Sequence, residues 1–168
     1  MVHVNFLAVL VASLIPLIIG FVWYNPKVFG SAWMKAADMN KEKMQGANMA
    51  LVFGLTFVFS FFVAMTMNFV TIHQFGMQSS LMTDAKALAD PTTPIGAYLA
   101  DYMAKYGNNF RTFKHGAFHG IISGFLFILP VISVNAMFER KGFKYIAINA
   151  GFWIVCLTLM GGIVCGWQ

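Results

Sequence analysis

Four histidines are the residues of this chain best suited to chemistry: His3, His73, His115 and His119. His115 and His119 are four positions apart, so on a helix they share one face. Neutral imidazole is the commonest ligand of transition metals, and three or four converging imidazoles suit zinc or copper. The H-x-x-x-H pair lacks the glutamate of the H-E-x-x-H motif. No carboxylate lies within seven residues of either histidine to orient its ring. Two ligands on one helix supply at most half of a four-coordinate zinc site. The others would be His73, on a wet segment, and His3, at a fraying terminus, and assembling a site from mobile groups costs ordering entropy. The expectation is therefore no bound metal and no cofactor, with the histidines hydrogen-bonding near a membrane surface. His115, His119, His73 and His3 are the ligand candidates if a metal is held.

Other chemistry finds little support. The chain has no P-loop, no glycine-rich dinucleotide turn and no paired metal-binding cysteines. Ser123 follows His119 by four positions without a serine-hydrolase motif around it. Cys156 and Cys165 would sit about 13.5 Å apart along one helix, too far for a disulfide. The expectation is a protein that is not an enzyme.

The elements that position these residues follow from charge. Of the 168 residues 59% are hydrophobic and only 10% are charged. A soluble domain usually carries about 25% charge. Asp, Glu, Lys and Arg are absent from 1–26, 45–83, 115–138 and 145–168. Each window is long enough for one helix to cross the ~30 Å hydrocarbon core. Soluble helices keep a charged face, and these do not. The first window has no basic residue before its apolar stretch and no small-x-small cleavage pattern, so it reads as a retained helix. The net charge of +5 fits basic loops beside anionic headgroups better than nucleic acid.

The fold class is thus an all-α integral membrane protein with four transmembrane helices, at about 4–24, 47–70, 113–138 and 144–167, in one membrane domain spanning 1–168. Short interfacial helices are expected in the first and middle loops. Pro16 kinks the first helix. Asn25-Pro26 caps a short helix over Val28 to Ala37, and Trp23, Tyr24 and Trp33 are aromatics suited to headgroup level. The extramembrane connection 72–112 holds an amphipathic helix: Thr93-Pro94 starts it, Ile95, Tyr98, Leu99, Tyr102, Met103 and Tyr106 recur at helical spacing, and Gly107-Asn108 ends it. Lys27, Lys35, Lys41, Lys43, Arg140, Lys141 and Lys144 fall in the first and third loops, against Lys86, Lys105, Arg111 and Lys114 in the connection. The positive-inside rule then places both termini outside the cytoplasm.

Two features speak to packing. Gly116, Gly120 and Gly124 form a small-x-x-x-small ladder on the third helix, and Gly162 and Gly166 form another on the fourth. Such ladders let helix backbones approach in lipid. A hairpin turning near 141–142 sets Gly120 against Gly162–Ile163 and Gly116 against Gly166–Trp167. The same register sets Asn135 opposite Asn149 as a buried polar pair.

The run Trp23-Tyr24-Asn25-Pro26-Lys27-Val28-Phe29-Gly30-Ser31-Ala32-Trp33-Met34 resembles a bacterial multi-pass membrane family known as domain of unknown function 1761. The similarity extends to Gly120, Gly124, Pro130, Phe138-Glu139-Arg140, Ile148-Asn149-Ala150-Gly151-Phe152 and Met160-Gly161, and leaves out 72–112. The resemblance implies a bacterial multi-pass membrane protein and no activity, and places it in the inner membrane. The function expected is a non-catalytic accessory or scaffold subunit working through helix–helix contacts. Its partners would be the bilayer and other membrane subunits or further copies of itself, with no nucleic acid. The alternatives are a small oligomeric transporter or channel, and a membrane metal- or cofactor-binding protein using the histidines at the outer surface.

Overall fold

A computed structural model describes residues 1–168, Lys41 by its backbone alone. The chain is 78% helical, with no strand among the described residues. Four helical stretches are long and apolar enough to cross a bilayer: Phe6–Trp23, Met49–Thr71, Phe113–Phe138 and Phe143–Gly166.

The first stretch is two helices, α1 (Phe6–Ser13) and α2 (Ile15–Trp23). Pro16 has no amide to donate, and the ladder breaks at Leu14 just before it. Asn25 accepts from the Lys27 amide and opens a π turn, Pro26–Gly30, that runs into α3 (Ser31–Ala37). Gly30 permits this turn, because a Cβ there would collide with the Tyr24 carbonyl. A left-handed residue, Asp38, ends α3. Its carboxylate takes the Lys43 ammonium at 2.9 Å, which holds that carboxyl below its usual range.

After the short α4 (Lys41–Met44), α5 (Met49–Thr71) makes the second apolar stretch, with Asn48 accepting from the Leu51 amide as its cap. Phe53, Phe59 and Phe62 on α5 are exposed, as lipid-facing side chains are. The connection then holds three helices rather than the single one expected: α6 (His73–Ser80), α7 (Ala85–Ala89) and α8 (Pro94–Tyr106). Thr93 caps α8 by accepting from the Gly96 amide. Leu99 and Gly96 face inward while Tyr98 and Tyr106 stay exposed.

The third stretch is α9 (Phe113–Ser123), a π turn (Gly124–Ile128) and α10 (Leu129–Phe138). Pro130 removes the amide that would bond to the Leu126 carbonyl, so the chain widens there. The last helix, α11 (Phe143–Gly166), is the hub. It is 56% buried over its most apolar window, against 11% for the second and third stretches. Phe152, Cys156, Leu157, Met160 and Val164 of α11 pack against Val9, Ala12, Ala64 and Met67.

The most extensive contact in the molecule joins α9 and α11. Small residues make it possible. A Cβ on Gly116 would strike the Gly161 carbonyl, one on Gly120 the Leu157 carbonyl, and one on Gly124 the Ile154 side chain. The two glycine ladders do not face each other as the simple hairpin register has it. Each glycine of α9 meets a residue about five positions earlier on α11, and Gly162 and Gly166 instead receive Phe113. The helices end at Phe138 and restart at Phe143, which centres the turn about one residue before 141–142, and the π turn uses an extra residue. Both slide the register in this direction.

That slip also separates the supposed asparagine pair. Asn135 is exposed. Asn149 accepts from Tyr24 Oη at 3.2 Å and from Trp33 Nε1 at 3.3 Å, and donates to the Tyr145 carbonyl at 2.8 Å. Trp23 Nε1 donates to the Ile148 carbonyl at 3.1 Å. Trp23, Tyr24 and Trp33 are therefore half-buried and bonded to α11. An indole or phenol entering an apolar contact needs an acceptor, and Asn149 supplies it for two of the three.

Candidate metal centre

At the opposite end of the bundle from Asn149, three histidines from two separate helices meet. His73 is the first residue of α6, and His115 and His119 lie on the first two turns of α9. One ligand atom from each can be chosen so that all lie within 4.8 Å of one another. His73 Nε2 and His115 Nε2 are 3.0 Å apart. The ring centroids are 5.0 Å apart for His73–His115, 5.1 Å for His73–His119 and 4.6 Å for His115–His119. His3 is exposed and does not belong to this group.

The convergence is built by the residues around it. Helix α5 stops after Thr71 because Ile72 turns to an extended conformation, and α6 restarts at His73 in a new direction. Ile72 is 1% exposed, in a cluster with Val2 and Cys165 that Phe75 and Met103 pack against. Gln74, also buried, donates through Nε2 to the Tyr106 and Asn109 carbonyls, both at 2.9 Å. His73 is thus bracketed by two of the most buried residues of the chain. His73 itself is exposed, as expected of a wet position, but its packed neighbours hold its backbone in place, which weakens the entropic objection to a site using His73.

On the other side, Thr112 caps α9 by accepting from the His115 amide at 3.2 Å. Phe110 adopts a left-handed φ of 62°, uncommon for a bulky residue and a mark of local strain. Its ring lies 5.1 Å from His115 and 6.0 Å from His73. One residue of α11 ties both approaches together. The Cys165 thiol donates to the Phe110 carbonyl at 3.3 Å and more weakly to the Thr71 carbonyl at 3.6 Å. Its own carbonyl accepts from Arg111 Nε at 3.2 Å. In the sequence Cys165 stands out only as half of an impossible disulfide, and Gln74 and Phe110 do not stand out at all. A single apolar-looking cysteine or a glutamine beside a histidine carries no signal until the helices are placed.

Two descriptions fit the three rings. In one, His73 and His115 share a proton in an imidazole–imidazole hydrogen bond, one ring donating and the other accepting. In the other, a metal sits between them. Zinc–nitrogen bonds of 2.0–2.1 Å in a tetrahedron set ligand nitrogens about 3.3 Å apart, so the 3.0 Å pair needs to open by only a few tenths of an ångström. The donor set is three neutral imidazoles, with no carboxylate or thiolate in the group. Such a set suits zinc, copper or cobalt and disfavours magnesium and calcium. It leaves one position of a tetrahedron open to an exogenous ligand. Among the described residues the only hydrogen bond these rings make is to each other, so the outer partners that usually orient metal-bound imidazoles are not protein groups here.

A family model described as protein of unknown function (DUF1761) matches residues 7–165. No curated protein and no solved structure matches the chain.

Proposed function

The chain belongs to the family of proteins of unknown function DUF1761, and on that footing we propose that it is a multi-pass bilayer protein that binds a transition metal. The observation that carries the reading is the meeting of His73 with His115 and His119 across 42 residues of sequence. Two histidines on one helix face arise readily by chance. A third, delivered from another helix by a break at Ile72 and braced by Gln74, is much less expected of rings that only need water or headgroups. Preorganisation of this kind lowers the entropic cost of assembling a site. The open fourth position makes the centre one that presents a metal to a ligand, in contrast to the closed four-ligand sites that merely hold a fold together.

Elemental analysis of protein purified without a histidine tag or chelator, followed by titration with zinc or cobalt, tests this. About one metal per chain is expected, with binding weakened at least about tenfold in His115→Ala and in His73→Ala. Wild-type protein that binds neither metal at micromolar concentration would overturn the reading.

The accessory-subunit reading keeps one specific support. In the most apolar windows of the second and third stretches only 11% of the residues are buried within the chain, so each helix keeps a face open to lipid or to another membrane protein. Native mass measurement in mild detergent separates the readings: a stable hetero-complex without metal favours the accessory role.

A further inference from the structure

Resting on the metal reading above, we infer that the open coordination position takes an anionic oxygen ligand of the phosphate class at the headgroup boundary. The first argument is charge. Three neutral imidazoles leave the full +2 of the ion uncompensated, since the converging group holds no carboxylate. The neighbouring side chains add to the positive field. Lys114 adjoins His115 in sequence and Arg111 lies four positions before it, and among the described residues neither is paired with a carboxylate. A divalent ion in such surroundings is best completed by an anion, because nearby charge of one sign stabilises the opposite one.

The second argument is depth. The stretch Phe113–Phe138 has 26 residues, about 39 Å of helix at 1.5 Å per residue. Centred in a hydrocarbon core of ~30 Å it overhangs by roughly 4–5 Å at each end. His115 then rises near the edge of the core and His119 about one turn below it. Exposed phenylalanines flank the rings: Phe110 is 62% exposed and Phe118, 6.2 Å from His119, is 58% exposed. A site walled by exposed apolar rings opens toward the interfacial layer, where phosphate oxygens are the abundant anions. The ligand binds by displacing a water from the metal, with no bond to carbon or phosphorus made or broken.

The test uses the full chain in maltoside micelles, which contain no phosphate. Cobalt is added as a spectroscopic metal, and the visible bands are followed while inorganic phosphate or dihexanoyl phosphatidic acid is titrated in, with chloride as control. Both phosphate compounds are expected to shift the bands where chloride does not. The exposed Lys114→Gln variant is expected to need roughly 2–5-fold more phosphate at low salt while holding cobalt unchanged. Half-effect at a lower concentration of phosphatidic acid identifies lipid as the source; equal or stronger action of inorganic phosphate identifies the free anion, and either supports the class. Cobalt bands that appear, vanish in His73→Ala and ignore both phosphate compounds would overturn this inference and leave the metal site standing. Wild-type protein without cobalt bands would overturn both.

Discussion

At the scale of single residues, two asparagines that look alike in the sequence do opposite things. Asn149 closes the end of the bundle by accepting hydrogen bonds from Tyr24 and Trp33, while Asn135 is exposed. Asn149→Leu should therefore strip two half-buried donors of their acceptor. Each such loss costs about 1–3 kcal/mol in a protein interior and nearer ~0.6 kcal/mol in membrane proteins, where the unfolded reference also finds partners. Thermal unfolding in detergent should show a clear drop for Asn149→Leu and almost none for Asn135→Leu; equal drops would show the assignment wrong. The sequence made both residues visible as polar groups in apolar helices, but not which partner each takes. That depends on where the hairpin turns and on one residue absorbed by a π turn, and neither leaves a mark in hydropathy. The histidines follow the same pattern. His115 and His119 are legible as an i, i+4 pair, whereas the arrival of His73 depends on an extended Ile72 fixed by contacts with Val2 and Cys165.

At the scale of elements, the glycines of α9 are legible as a close-packing face and their partners are not. Gly120 sits against the Leu157 carbonyl and the Thr158 backbone, so Gly120→Leu must push two helices apart. Overpacking of this kind typically costs ~1–3 kcal/mol. Gly54 on α5 meets nothing within 4 Å, so Gly54→Leu serves as the matched change in lipid-facing space and should leave thermal stability nearly unchanged. A similar loss in both variants would mean that α9 and α11 are not the tight pair. The short helix α6 gives a second expectation. It is tied to the bundle through Ile72, Gln74 and His73, and a metal would add a direct link from His73 to α9. Zinc should then slow hydrogen exchange of the amides at 75–80 in wild-type protein and not in His115→Ala. Exchange at these amides that ignores zinc would mean that His73 is not a ligand.

At the scale of the whole molecule, the four apolar stretches are each long enough to cross a bilayer, and four crossings would put the connection 72–112 and its histidines on one side and the two short loops on the other. Composition alone makes this much legible, because a charge-free window long enough to cross hydrocarbon has few other uses. Which side faces the cytoplasm rests on seven basic residues in the short loops against four in the longer connection. One of the seven, Lys41, has a side chain outside the described residues. The connection is short enough for its own four to count in the same vote. The short loops hold the majority and are expected in the cytoplasm, with the proposed metal site facing outward. Glu42→Cys and Ser79→Cys probe the two sides, since both positions are exposed and lie beyond the ends of the apolar stretches. A membrane-impermeant maleimide applied to intact cells should label Ser79→Cys and spare Glu42→Cys until the membrane is permeabilised. The reverse pattern would invert the molecule and turn the histidines toward the cytoplasm. The metal site would then draw on the tightly buffered metal pool of the cell interior instead of the metal outside it.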